Sequence, residues 1–189
     1  MDILAAFGLS ASAGLNAYIP LLTVSLLARF TDLIELSEPW SALESWWIIG
    51  LLVVLSLVEF FADKVPAVNH VNDVIQSFIR PAAGAILFAA SANVITEIHP
   101  VLSMGAGLLI AGGIHAVKAL ALRPAVTATT GGTANVPVSM LEDVVSTVMS
   151  LVSVLLPVLV AVFLVLMGIL IIWWTMRHTV DERDLPKDK

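Results

Sequence analysis

Between Val144 and Met176 the chain carries no charged side chain at all. A straight helix of that length would run about 50 Å, against a hydrocarbon core of ~30 Å. A second uncharged run covers Ile3 to Ala28, and three more apolar blocks cover Trp46 to Ala62, Ala82 to Ile95 and Val101 to Leu122. Runs of this kind need lipid to face, and in lipid the backbone must satisfy its own hydrogen bonds. The expected fold is therefore all-α: a polytopic transmembrane helical bundle with about 5–6 spans. Composition agrees, at 59% hydrophobic, 13% charged and a mean hydropathy of +0.98, where soluble domains are about half apolar and roughly a quarter charged. A formal net charge of -6 gives no reason to expect nucleic-acid binding. The absence of cysteine excludes disulfides, thiolate metal sites and a cysteine nucleophile. No cofactor is implied.

The first block reads as a span rather than a signal peptide, because it is too long for an h-region and lacks a basic start. Ala6, Ser10 and Gly14 form a small-residue stripe suited to close helix packing. Asn16 to Pro20 interrupts the block, and Pro20 is expected to kink it. The connection from Phe30 to Ser45 is acidic and is flanked by Trp40, Trp46 and Trp47, as at a membrane interface. Lys and Arg placement puts the polar tail, residues 177–189, in the cytoplasm with the N-terminus, and the acidic connection outside. Two cytoplasmic termini need an even number of crossings. Either Pro157 divides the last block, or one segment is broken or re-entrant.

Two polar stretches lie among the apolar blocks. The longer is RPAVTATTGGTANVPVSMLED, Arg123 to Asp143, which ends in a capping-box pattern from Ser139 to Glu142. The shorter is VPAVNHVND, Val65 to Asp73, after which a helix carries Asp73, Gln76 and Arg80 on one face. A shift of 70 residues brings Asn69 onto Ser139, Asn72 onto Glu142 and Asp73 onto Asp143. Gly14-Leu15-Asn16-Ala17 likewise resembles Gly113-Ile114-His115-Ala116. This suggests a single transmembrane domain, 1–176, made of two repeat halves, about 1–98 and 99–176. Transporters often place their site between such halves, at broken helices.

Ionisable residues inside spans cost roughly 2.5–3.5 kcal/mol each at a helix centre, so they rarely face lipid. Glu59, Asp63, Lys64, Asp73, Arg80, His115, Lys118, Glu142 and Asp143 are thus expected to converge, with Asn16 and Asn72 beside them. Carboxylates there would bind a cation or proton. Arg80, Lys118 and Arg123 would hold anionic groups, and Thr129, Thr130 and Asn135 would line the path. A plainer account is that the charges only lock the bundle as ion pairs, Glu59 with Lys118 or Asp73 with Arg80. Glu142 could serve only as a cap. A metal on His115, Glu59 and Asp63 has slight support from ligand type.

Three segments together resemble one family: GLNAYIPLL, VEFFADKVPAVNHVNDVIQSFIRPAAGA, and IHAVKALALRPAVTATTGGTANVPVSMLEDV. From about Leu4 to Trp174 the chain is similar to the bacterial membrane-protein family known as domain of unknown function 4126. The resemblance implies a multi-pass inner-membrane protein and brings no activity with it. From the residues, the expected function is a small transporter or channel, homo-oligomeric, for an ion or a polar, phosphate-bearing solute. Its partners would be the bilayer and that solute. The alternatives are an intramembrane enzyme acting on a lipid head group, with His115 or Glu59 as base, and a structural membrane protein.

Overall fold

The computed structural model describes residues 3–63, 66–92, 99–156, 162, 165–170 and 173. Among them are seven α-helices and no strand: α1 Ile3–Leu15, α2 Tyr18–Phe30, α3 Trp46–Ala62, α4 Pro66–Ala92, α5 Pro100–Val117, α6 Arg123–Thr130 and α7 Asn135–Leu155. A 3-10 turn, Trp40–Glu44, precedes α3, and a π-turn, Lys118–Leu122, joins α5 to α6 without a break. Among the described residues three stretches are long and apolar enough to cross a membrane: Asn72–Ser91, Pro100–Thr130 and Asn135–Leu155.

The bundle is apolar outside, and inside it a polar set is buried beside an apolar core that includes Leu9, Val24, Leu52 and Leu87. On α7 the buried residues are Ser139, Glu142, Ser146, Ser150 and Ser153, a spacing of three and four that keeps them on one face. Leu141, Val144 and Val148 are exposed on the opposite side. Leu109 is 73% exposed at the middle of α5, whereas Arg80 is fully buried. A soluble bundle shows the reverse pattern, so this is a protein built to be solvated by lipid.

The α1, α4 and α5 helices pack where small residues remove the obstacle. A Cβ on Gly14 would stand 2.7 Å from the Ala111 carbonyl, and one on Gly84 would stand 2.7 Å from the Gly107 carbonyl. Ser10 Oγ, also fully buried, donates to the Gly84 carbonyl at 3.0 Å. The Ala6–Ser10–Gly14 stripe therefore does what its spacing predicts. Between α1 and α7, Ser12 Oγ lies 2.8 Å from both Ser146 Oγ and Ser150 Oγ, which joins the two helices by hydroxyls.

Several expected boundaries move. The helices do not begin after the Val65–Asp73 stretch and at Ser139; α4 begins at Pro66 and α7 at Asn135. Prolines 66, 100, 124 and 137 all fall in first helical turns, where the missing N–H has no partner to lose. They outrank the Ser139–Glu142 pattern, so Ser139 is an interior residue whose hydroxyl serves Asp63 instead. The polar stretch beginning at Arg123 is helical through Thr130 rather than a break. The chain turns only at residues 131–134, where Gly131 and Gly132 have φ of +60° and +87°, a region glycine enters freely. Pro81 sits inside α4 without ending it. The interruption at Asn16 is real: α1 stops at Leu15 and α2 starts at Tyr18. The α7 helix stops at Leu155, just short of the residue before Pro157. The tail 177–189 and most of the run after Pro157 lie outside the described residues.

Candidate functional site, a buried charge network

Asn16 opens the site. Its Oδ1 accepts from the Tyr18 and Ile19 N–H groups at 3.1 and 3.0 Å, so it starts α2 as an N-cap. Its Nδ2 donates to Asp143 Oδ1 at 3.0 Å. The break also frees the Leu15 carbonyl, which accepts from Lys118 Nζ at 3.1 Å. Lys118 Nζ also lies 2.7 Å from Glu142 Oε2. At that distance the ammonium and the carboxylate form a close, buried ion pair.

The π-turn sets the next contact. Five residues apart on an α-helix, Lys118 and Arg123 would point roughly 140° apart. The i→i+5 bond from the Arg123 N–H to the Lys118 carbonyl stacks them instead. Arg123 Nη2 lies 3.6 Å from the same Glu142 oxygen and donates to Asp63 Oδ2 at 3.2 Å. Its Nη1 donates to both oxygens of Asp73, at 3.1 and 3.2 Å. Asp63, which follows α3, also accepts from Asn72 Nδ2 at 2.7 Å and Ser139 Oγ at 3.1 Å. Arg123 is thus the hub where α3, α4, α6 and α7 meet.

A second cluster lies beside the first. Arg80 Nη2 donates to Glu59 Oε1 at 2.9 Å, with both side chains almost wholly buried. Arg80 Nη1 is 3.2 Å from His115 Nδ1. Arginine has no lone pair to offer, so Nδ1 must be the acceptor. The ring proton then sits on Nε2 and is donated to Ser77 Oγ at 3.0 Å, while Ser77 donates to the Asp73 carbonyl at 2.8 Å. His115 is consequently neutral with both nitrogens engaged. It has no free lone pair with which to act as a base.

The structure brings together Asn16, Glu59, Asp63, Asn72, Asp73, Arg80, His115, Lys118, Arg123, Glu142 and Asp143. Lys64 lies outside the described residues. Thr129, Thr130 and Asn135 stand apart from the network. Thr129 Oγ1 donates to the Ala125 carbonyl at 2.8 Å and Thr130 Oγ1 to the Val126 carbonyl at 2.7 Å, while Asn135 pairs with Thr127. The charge pairs are not the expected Glu59–Lys118 and Asp73–Arg80: Glu59 takes Arg80, Lys118 takes Glu142, and Arg123 takes Asp73. Among the described residues no three His, Asp or Glu side chains gather to hold a metal. Arg80 stands between His115 and Glu59 and closes that option. Sequence reasoning missed Tyr18 and Ser139 as members. Gln76 was legible only through its place on the Asp73–Arg80 face.

An apolar exterior around a buried, mutually paired charge network defines a helical membrane protein with a polar interior site. The family model described as Domain of unknown function (DUF4126) matches residues 3–177, and the chain belongs to that family. No curated protein and no solved structure matches it.

Proposed function

We propose that this protein is a small integral membrane transporter or channel for a small ion or polar solute, passing through the network described above. The observation that carries this reading is the Arg123 cluster. Among its described side chains three carboxylates, Asp63, Asp73 and Glu142, share two cations, Lys118 and Arg123. A buried carboxylate without full compensation is costly, so the cluster has room for one more positive charge, a proton or a cation. Arg80, Lys118 and Arg123 are each held by a protein carboxylate, which favours such a species over a phosphate-bearing one.

The arrangement of breaks supports two related halves. The sequence match of Asn16 with His115 places the α1–α2 break opposite the π-turn at Lys118. If α1 with α2, then α3, then α4 each cross once, α5 begins on the far side from α1. That relates α1 to α5 by inversion, the relation used for alternating access, whereas α4 and α7, matched by the 70-residue shift, both start on the α1 side, so the two matches do not share one repeat axis. One more crossing beyond α7 brings the total to six and both termini to the cytoplasm of a bacterial inner membrane.

Proteoliposomes containing the wild type should dissipate a proton or alkali-cation gradient, read with an entrapped indicator dye. Glu142→Gln should slow that flux about tenfold or more. Wild-type vesicles no leakier than empty ones, to every ion and polar solute tried, would remove the reading.

A further inference from the structure

Three polar atoms beside the second cluster have no partner among the described residues: Glu59 Oε2, Gln76 Oε1 and Arg80 Nε. Their side chains are 1%, 2% and 0% exposed. Leaving such atoms bare costs the desolvation of each, so a native structure supplies something to them. They are neighbours. Glu59 is bonded to Arg80, and Gln76 lies one turn before Arg80 on the same face of α4. The Tyr18 side chain is buried beside Gln76, Glu59 and Arg80.

Two balances define what fits. For charge, Glu59 and Arg80 cancel and His115 is neutral, so an ion entering here meets no compensating charge. For hydrogen bonding, two acceptor oxygens and the Arg80 Nε–H stand open, and with Gln76 Oε1 bare the Gln76 amide N–H is what can serve the Tyr18 oxygen, which leaves the Tyr18 O–H as a further donor. A bare cation would leave Arg80 Nε unsatisfied, and an anion would face two acceptor oxygens. We propose that Glu59, Gln76, Arg80 and Tyr18 form a subsite for a small uncharged molecule that donates two hydrogen bonds and accepts up to two. Water is the smallest member of that class, and simple primary amides are larger ones. The inference rests on the transport reading and narrows it, because it assigns a neutral solute to this subsite and leaves the charge to the Arg123 cluster.

Stopped-flow light scattering on proteoliposomes, with water, formamide and urea as separate permeants, tests it beside the ion-flux assay. Wild-type vesicles should admit at least one of these faster than empty vesicles, and the arm that responds identifies the permeant. Gln76→Leu should cut that rate about tenfold, the worth of one hydrogen bond. Tyr18→Phe, which keeps the ring and removes only the hydroxyl, should cut it less. It also guards against misfolding of the leucine variant. Neutral uptake untouched by both substitutions would overturn the subsite. Ion flux without uptake of any neutral permeant would overturn it too, while leaving the transport reading in place. Neither kind of flux would defeat both.

Discussion

At the residue scale the molecule is governed by how buried charges are matched. Arg80 makes contact with both Glu59 and His115, and all three are buried. Truncating one member of such a pair strands the other, which costs about 3–5 kcal/mol, whereas replacing both by apolar residues of similar size is often close to neutral. Arg80→Met should therefore lower unfolding stability in detergent by about that amount. Glu59→Leu combined with Arg80→Met should recover most of it, as measured by denaturant titration. If the double variant stays as unstable as the single one, the pair is not what stabilises this region. The identity of these residues was legible in the sequence, because an ionisable group in an apolar block must face inward. Their pairing was not. Glu59 reaches Arg80 across two helices, and only the packing of α3 on α4 decides that.

At the element scale, prolines and glycines set the geometry. The sequence shows both polar stretches, but polarity alone does not say whether a stretch turns. Arg123 to Thr130 looks like a loop in composition. It stays helical because Pro124 falls in its first turn and the threonine hydroxyls fold back onto their own carbonyls. The π-turn had no signature in the residues at all. It follows from satisfying Lys118 and Arg123 at one site, a tertiary demand. The glycine-rich character of α5 was legible, but only part of it is used: Gly107 meets Gly84, while Gly105 and Gly113 face open space. This separates two substitutions that look alike on paper. Gly84→Val would drive its side chain into the Gly107 carbonyl and should destabilise the protein by about 1–3 kcal/mol, the usual penalty for overpacking. Gly105→Ala, inside α5 with open space for its Cβ, should raise stability slightly, by about 0.4–1 kcal/mol. Equal effects of the two would mean that α4 and α5 are not in close contact there.

At the scale of the whole molecule the organising fact is a polar interior set in an apolar exterior: serines and ion pairs are buried beside a small apolar core, while most leucines and valines of α5 and α7 face outward. Hydropathy made the lipid environment legible before any helix was placed, since no arrangement in water could cover so much apolar surface. It could not say which face of each helix is turned inward, because α5 and α7 are apolar on most sides. The buried serines of α7 settle that for one helix, and the contacts of Gly107, Ala111 and His115 settle it for the other. The consequence is a directional test. Ala111 and Leu109 are two residues apart on α5, one fully buried and one 73% exposed. If the exposed face meets hydrocarbon, Leu109→Asp places a carboxylate in lipid at a cost of roughly 2.5–3.5 kcal/mol, and the amount of protein recovered in the membrane fraction should fall several-fold. Leu109→Ala should leave it unchanged. An aspartate at 109 that is tolerated as well as alanine would mean this face meets water or another protein surface, and the bundle would then have to be covered by something other than lipid.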